Sequence, residues 1–397
     1  MLSPGPLTGL RVLDCTHMLA GPWCGLILAD LGADVIKVEP PEGESTRDHG
    51  QGDFRVFDYI NRNKRGVAID LSQPEGPELL RCLAAKSDVF IENWRPGVLD
   101  AKGLGFSDLS ALNPRLIYGS ISGFGHSGPF RNQGLVDLVA QAVSGLMSFA
   151  GAEDAARPSS LAIPISDLNS GTFAAIGILA ALVQRGVSGK GQWVEATLQE
   201  TALSYCLYQA GRYLSTGHIS KPQGTRHTLA APYEVYRTAD GYIALGAGTQ
   251  SLWRRACDVL GQPDLAADPR FADMEARLSH RDALQDALED LLVQDVATNW
   301  AARFAEKGVP AAKINNIAEA LDHPQIAARH AVVDIAGQRF MRTPIQLSDA
   351  TVTVTRGAPA VGEHTREVLA ESGLSADDVD ALISCGAVFD TRRLSHV

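Results

Sequence analysis

The chain has 397 residues, 46 of them acidic and 35 basic, for a formal net charge of −11. Its length exceeds that of a typical single domain and allows two domains with a buried core. The acidic balance argues against nucleic acid or anionic lipid as the main partner, since both need a basic face; an anionic ligand would need a local cationic pocket.

The opening stretch, "MLSPGPLTGLRVLD", lacks the charged start and long apolar core of a secretion signal. Strand-like runs then alternate with helical ones. Strands are predicted at "LRVLDCT" (10–16), "ADVIKVE" (33–39), "DVFIEN" (88–93) and "RLIYGSISG" (115–123), with helices near 21–31 and 75–86. Short, continuously apolar strands separated by helices imply a parallel sheet covered on both faces, hence an α/β fold. Ligands of such sheets sit beyond the carboxyl ends of the strands. The loops to watch are therefore "THMLAGPWCG", "NWRPG" and "GFGHSGP".

Between the second and third of these strands, Arg62 and "NKR" (63–65) form a cationic cluster, read either as solvated surface or as an answer to phosphate charges. Gly123, Gly125 and Gly128 spell G-x-G-x-x-G after a strand. Pro129 and "RNQG" follow where a dinucleotide site needs a helix, so the context fails. His126 in this loop is either an ordinary loop histidine or an acid/base group. Further on, "PISDLNSGTFAAIGILAALVQR" (164–185) places Asp167 ahead of an apolar run, Phe173 to Val183, that is too short to cross a bilayer. Read locally, Asp167 is a helix cap suited to the positive end of the dipole.

From about 225 the texture changes to "PYEVYRTADGYIALGAG", two alternating strands about the turn Ala239-Asp240-Gly241, followed by polar helical segments to about 325. The tail returns to strand-like "ATVTVTRG" and a helix near 364–372. We therefore expect a large domain over 1–224, a smaller α+β domain over 225–325, and a segment, 326–397, that completes the first. The six cysteines (Cys15, Cys24, Cys82, Cys206, Cys257, Cys385) form no C-x-x-C pair, and none of the ten histidines forms HxH or HExxH. Neither a disulfide framework nor a metal site is expected, and a reducing cytoplasm fits.

Taken together, eight stretches in order resemble the class III coenzyme A transferases, a family that also contains α-methylacyl-CoA racemases. They are "LDCTHMLAGPWCGLILADLGADVIKVEPP", "NRNKRGVAIDLSQPEGPELL", "DVFIENWRPGVLDAKGLG", "LNPRLIYGSISGFGHSGP", "DLVAQAVSGLM", "SDLNSGTFAAIGILAAL", "GKGQWVEATL" and "GEHT". The resemblance implies a Rossmann-like large domain, a smaller domain, and an interlocked homodimer whose active site lies between the large domain of one chain and the small domain of the other. It assigns Asp167 as the nucleophile that attacks an acyl-CoA thioester, giving a mixed anhydride and then an aspartyl-CoA thioester. The CoA thioester is a co-substrate, and no permanently bound cofactor or metal is implied.

By the same resemblance CoA is wrapped by Leu19 and Ala20, by Ile69, Asp70, Leu71 and Ser72, by Asn93, Trp94 and Arg95, and by Gln133, Gly134, Leu135 and Val136. Two family arginines are absent, their places taken by Ala101 and Pro40; Lys102 and Arg95 are the substitutes for phosphate contact. Racemases of the family carry a histidine where this chain has Val136, and valine cannot move a proton. The oxalate-handling branch has a run of glycines in the small domain that is missing here. "GTRHTLAAPYEVYRTADGYIALGAG" instead looks like members that take succinyl-CoA as donor and dicarboxylic acids as acceptors, with Arg226 or His227 facing the distal carboxylate or lying as ordinary surface. The alternatives are a racemase, a non-catalytic CoA-binding protein and a dinucleotide oxidoreductase.

Overall fold

The structure is a computed structural model that describes residues 5–391. The first four residues of the opening stretch and the last six of the closing segment therefore lie outside it. The chain divides into two compact units, one of Met1–Leu146, Leu161–Cys206 and Ala327–Val397, the other of Met147–Ser160 and Leu207–Ile326. Both Met147–Ser160 and the stretch from Leu207 to Gly224 go with the second unit.

In the first unit the strands are β1 (Arg11–Asp14), β2 (Asp34–Glu39), β3 (Arg65–Ile69), β4 (Val89–Glu92), β5 (Ile117–Ser122), β6 (Trp193–Thr197) and β7 (Val388–Phe389). They form one sheet in the order β7-β3-β2-β1-β4-β5-β6. All pairs are parallel except β7, which runs antiparallel along β3. The period of two is visible in the packing. Val12, Val35, Ile91 and Ile117 face a core shared with helices α1 (Ala20–Asp30) and α4 (Ile165–Ser188). Leu13, Ile36, Phe90 and Tyr118 face the opposite core, shared with α2 (Glu75–Ala85), α5 (Thr365–Glu371) and α6 (Ala376–Ser384). A sheet buried on both faces explains why its strands read as unbroken apolar runs.

Three expectations are corrected here. The cationic cluster is neither solvated nor aimed at a ligand: Arg62, Lys64 and Arg65 are buried and paired with Asp30, Asp14 and Asp34. Charge so far from water persists only when neutralised at short range. The stretch "ATVTVTRG" forms no strand. Its backbone bonds instead to the Asn63 side chain, which accepts from the N–H of Thr355 and Arg356 and donates to the carbonyl of Thr353. The third concerns α4. At 24 residues, the helix as a whole is long and apolar enough to cross a bilayer, although the run from Phe173 to Val183 alone is not.

In the second unit, strands Tyr233–Arg237 and Tyr242–Gly246 form the expected hairpin, and Ala311–Lys313 pairs with the latter, also antiparallel. Tyr236, Ile243 and Leu245 point into a core with Trp253, Leu288 and Phe304 from the helices. Asp240 of the turn accepts the N–H of Ala297, at the start of helix Ala297–Glu306. Polar residue and helix start thus meet as a cap supplied from outside the helix.

Candidate active site

In the order β3-β2-β1-β4-β5-β6 the direction of growth reverses between β1 and β4, so the loops leaving their carboxyl ends diverge and open a crevice. A cleft of about 640 Å³ lies there. The loop after β1 contributes His17 and Leu19 and the start of α1 contributes Ala20, the loop after β4 contributes Asn93, Trp94 and Arg95, and Ser122 ends β5 with Gly123 just beyond it. Gln133 to Val136, Asp137 and Asp167 complete the wall. A neighbouring cavity of about 270 Å³ lies at the ends of β2 and β3, lined by Glu39, Pro40, Ile69, Asp70, Leu71, Ser72 and Lys102. Trp94 lines both.

Every residue assigned above to CoA lines one cavity or the other, although the segments that supply them are far apart in the chain. Lys102 donates to the carbonyl of Leu71, and the Ser72 hydroxyl and N–H hold the Asp70 carboxyl below the usual range. Arg226 and His227 belong to the second unit. There Arg226 is occupied by Glu234 at 3.1 Å, Asp282 at 2.7 Å and Glu153 at 3.6 Å. The His227 ring packs against Tyr208 and Tyr233 and accepts the Leu229 N–H.

The loops are held from beneath. The buried Lys64 ammonium donates to Asp14 at 2.7 Å, to the carbonyl of Pro22 and to Asn61. Asp14 in turn accepts the N–H of Thr16, and Lys37 bonds Glu44 and the carbonyl of Thr16. Burial alone would raise the Asp14 carboxyl, but Lys64 and Lys37 overcome it and hold Asp14 below its ordinary range. A side chain at position 25 would collide with this pair, its Cβ lying 2.5 Å from Asp14 Oδ2, so glycine makes the room. One layer up, the Asn93 side chain accepts the N–H of His17 and donates to its carbonyl, and the Trp94 indole donates to the carbonyl of Cys15. Burial, aided by Lys37, lowers the His17 imidazole.

Asp167 reaches the cleft because α4 lies unusually close to α1. A Cβ on Gly171 would come within 2.3 Å of the Ala20 carbonyl oxygen, and the Trp23 indole donates to Thr172. One turn earlier, Asp167 faces the loop that carries Leu19 and Ala20 into the same cleft. Nor is it a cap. The helix starts at Ile165 after Pro164, with no side-chain cap, and the N–H of Ser166 is taken by Asp137, first residue of α3 (Asp137–Val143). Asp137 also binds Gln141, whose amide oxygen accepts the Leu161 N–H. The Asp167 carboxylate accepts no hydrogen bond among the described residues. Burial, with the Asp137 charge adding to it, pushes its carboxyl up to about 6.

Such a group is a poorly solvated carboxylate on the wall of a cleft, which is what a nucleophilic acid requires. Reasoning from sequence missed His17, Arg131 and Asp137, all on the cleft wall. For Asp137 a signal was available, since it opens the helical pattern "DLVAQA". Arg131 had none. The loop with the three glycines opens into no helix before α3, which removes the dinucleotide geometry.

Comparison with known proteins agrees with this arrangement. The model of the family described as CoA-transferase family III matches residues 7–365. Succinyl-CoA--D-citramalate CoA-transferase of Chloroflexus aurantiacus is 37% identical over 391 residues, covering 96% of this chain and 97% of that protein. Succinyl-CoA:glutarate CoA-transferase of Homo sapiens is 34% identical over 96% of this chain and 90% of its own length. Acetyl-CoA:oxalate CoA-transferase of Acetobacter aceti is 36% identical over 91% and 94%. Among solved structures, a CAIB/BAIF family protein from Brucella suis superposes with a TM-score of 0.84 at 38% identity, covering 93% of this chain and all of that one. With the match spanning both units and all the cleft-forming loops, the chain belongs to CoA-transferase family III and is a CoA-transferase.

Proposed function

We propose that this enzyme moves CoA from succinyl-CoA to a second dicarboxylic acid, with Asp167 as the covalent carrier. The observation that supports it most is the place of Asp167, without a hydrogen-bond partner for its carboxylate among the described residues, in the cleft that also holds Leu19, Asn93, Trp94 and Gln133. Its carboxylate attacks the thioester carbonyl; the C–S bond breaks and CoA leaves as thiolate. The thiolate then attacks the aspartyl carbonyl of the anhydride, expelling the donor acid. The acceptor carboxylate attacks the aspartyl thioester, and the returning thiolate takes the new acyl group and frees Asp167. One thioester replaces another, so the exchange is close to thermoneutral and asks mainly for exclusion of water and for oxyanion donors. In the first turn of α4 the N–H groups of Ile165, Ser166 and Leu168 are taken by Ile163, Asp137 and Pro164, which leaves that of Asp167 itself as the candidate donor. In the glycine loop, Gly125 and His126 already donate to Ser122 and Glu195, and Gly123, which lines the cleft, is the loop's candidate.

The relatives named above act, by their names, on citramalate, glutarate and oxalate, all dicarboxylic acids. Arg95 and Arg131 line the cleft with no ion pair to a carboxylate among the described residues, a local cationic wall on an acidic protein. Arg226 would meet a substrate carboxylate only by releasing one of its present partners. The test is a mass-spectrometric screen of succinyl-CoA and acetyl-CoA against mono- and dicarboxylic acids. Transfer from succinyl-CoA to dicarboxylates is expected at least tenfold faster than to monocarboxylates of equal length, a difference of about 1.4 kcal/mol. Equal rates would remove the dicarboxylate reading, and rapid solvent-deuterium exchange at the α-carbon of a 2-methylacyl-CoA would favour racemization.

A homodimer is part of the same reading. The helix α4 leaves Ile176, Val183 and Val187 exposed at 55%, 75% and 91%, and α3 leaves Leu138 and Val143 half in solvent. An apolar face of this kind is usually covered, and we assign it to a second copy. Sedimentation velocity should show a dimer that Val183→Glu weakens at least tenfold; a monomer at micromolar concentration, or recovery in the membrane fraction, would refute it. Six free thiols support work in a reducing cytoplasm.

A further inference from the structure

One buried acid beside the cleft has no part in the transfer chemistry. Glu92 ends β4, and its Oε2 accepts the N–H of Trp94 at 2.8 Å. Its Oε1 is buried and has no hydrogen-bond partner among the described residues. An ionised carboxylate with one bare oxygen away from water is costly, whereas a carboxylic acid turns that oxygen into a donor. A receiver is at hand. The Ser120 hydroxyl, from the adjacent strand β5, lies 2.8 Å from His126 Nε2, which is itself 3.9 Å from Glu92 Oε1. His126 is fastened by its own N–H to Glu195 of β6 and by an edge contact to Trp193.

We propose that Glu92 acts in its protonated form as the positioning residue for the Asn93-Trp94-Arg95 wall, its bare oxygen carrying the proton on the side of the Ser120–His126 pair. This inference rests on the reading that the two cavities hold the acyl-CoA. Trp94 is the side chain that lines both, and its backbone hangs on Glu92, so an unneutralised charge at Glu92 loosens the wall from below. The groups facing Glu92 from the packed elements are Asp100 from the loop after β4, Tyr118 and Ser120 of β5, Glu195 of β6, Cys15 after β1, and His126. Of these only His126 can carry a positive charge. Burial pushes the Glu92 carboxyl up to about 7, with Asp100 and Glu195 adding to the shift, against the hydrogen bond from the Trp94 N–H.

The experiment is the pH dependence of KM for the acyl-CoA in the wild-type enzyme and in Glu92→Gln, with Ser120→Ala as a second variant. Glutamine keeps the shape and supplies a permanent N–H donor. One pH unit above the midpoint a tenth of the molecules hold the proton, so the wild-type KM should rise roughly tenfold between pH 6.5 and 8 with kcat little changed. Glu92→Gln should stay flat across that range, and Ser120→Ala should shift the midpoint. A wild-type KM that does not change, a rise in Glu92→Gln equal to the wild type's, or a tenfold higher KM for Glu92→Gln at pH 6.5, would each overturn the proposal. If no acid accepts CoA at any pH, the transfer reading fails by itself, and thermal melts decide this one. The advantage of Glu92→Gln over wild type should open as pH rises from the ordinary glutamate range to about 7 and then hold constant; a constant gap from pH 4 to 8 would sink it.

Discussion

Asp167→Ala should bind acyl-CoA with little change yet transfer CoA at least 10⁴-fold more slowly, since the step that breaks the C–S bond has lost its attacking atom. Wild-type enzyme treated with hydroxylamine during turnover should be modified at residue 167, and the variant should not. Transfer by the variant within tenfold of wild type would end the nucleophile assignment. The carboxylate is the reactive form, and burial places its midpoint at about 6, so kcat should fall as pH drops through that value. Stability moves the other way. An aspartate whose folded midpoint is raised favours the folded state at low pH, and that contribution is lost as pH rises from 3.8 through about 6. Asp167→Asn should therefore be about 2 kcal/mol more stable than wild type at pH 7.5 and no more stable at pH 3.5. A melting-temperature difference independent of pH would show that the site does not disfavour the charge.

Lys64→Met is expected to cost about 3–5 kcal/mol of stability, because it leaves the buried Asp14 carboxylate without its nearest cation. Urea unfolding measures this directly. The double variant Asp14→Leu, Lys64→Met should recover more than half of the loss, since it removes the orphaned charge along with its partner. A single-variant cost under 1 kcal/mol would mean that Lys37 alone neutralises Asp14. The same network carries the loop from Thr16 to Ala20, so partial unfolding there should raise KM for the acyl-CoA before the whole chain melts. Because Asp14 is held below its ordinary range, its contribution to stability is full above pH 4 and lost on further acidification.

The identity of the site was more legible than its construction. "NWRPG", "IDLS" and "SDLNSG" could be matched one by one to a family, and every residue so matched to CoA lines a cavity. What the matching left open was why Asp167 stands free. Seen alone, an acid before an apolar helix is a cap. It is free because Asp137, on another helix and 29 residues before Ser166, takes the Ser166 N–H.

Local pattern alone determined the alternation of buried strands with helices in the first half and the hairpin of the second unit, since side-chain period and turn residues are properties of neighbouring positions. Contacts at long range decided the rest. Arg62, Lys64 and Arg65 read as surface because the acids that neutralise them lie 32, 50 and 31 residues away and meet them only once β1, β2 and β3 pair. "ATVTVTRG" has strand composition but no strand beside it, and an extended segment becomes a strand only where a partner offers its backbone. The cleft itself follows from strand order, which no single segment encodes.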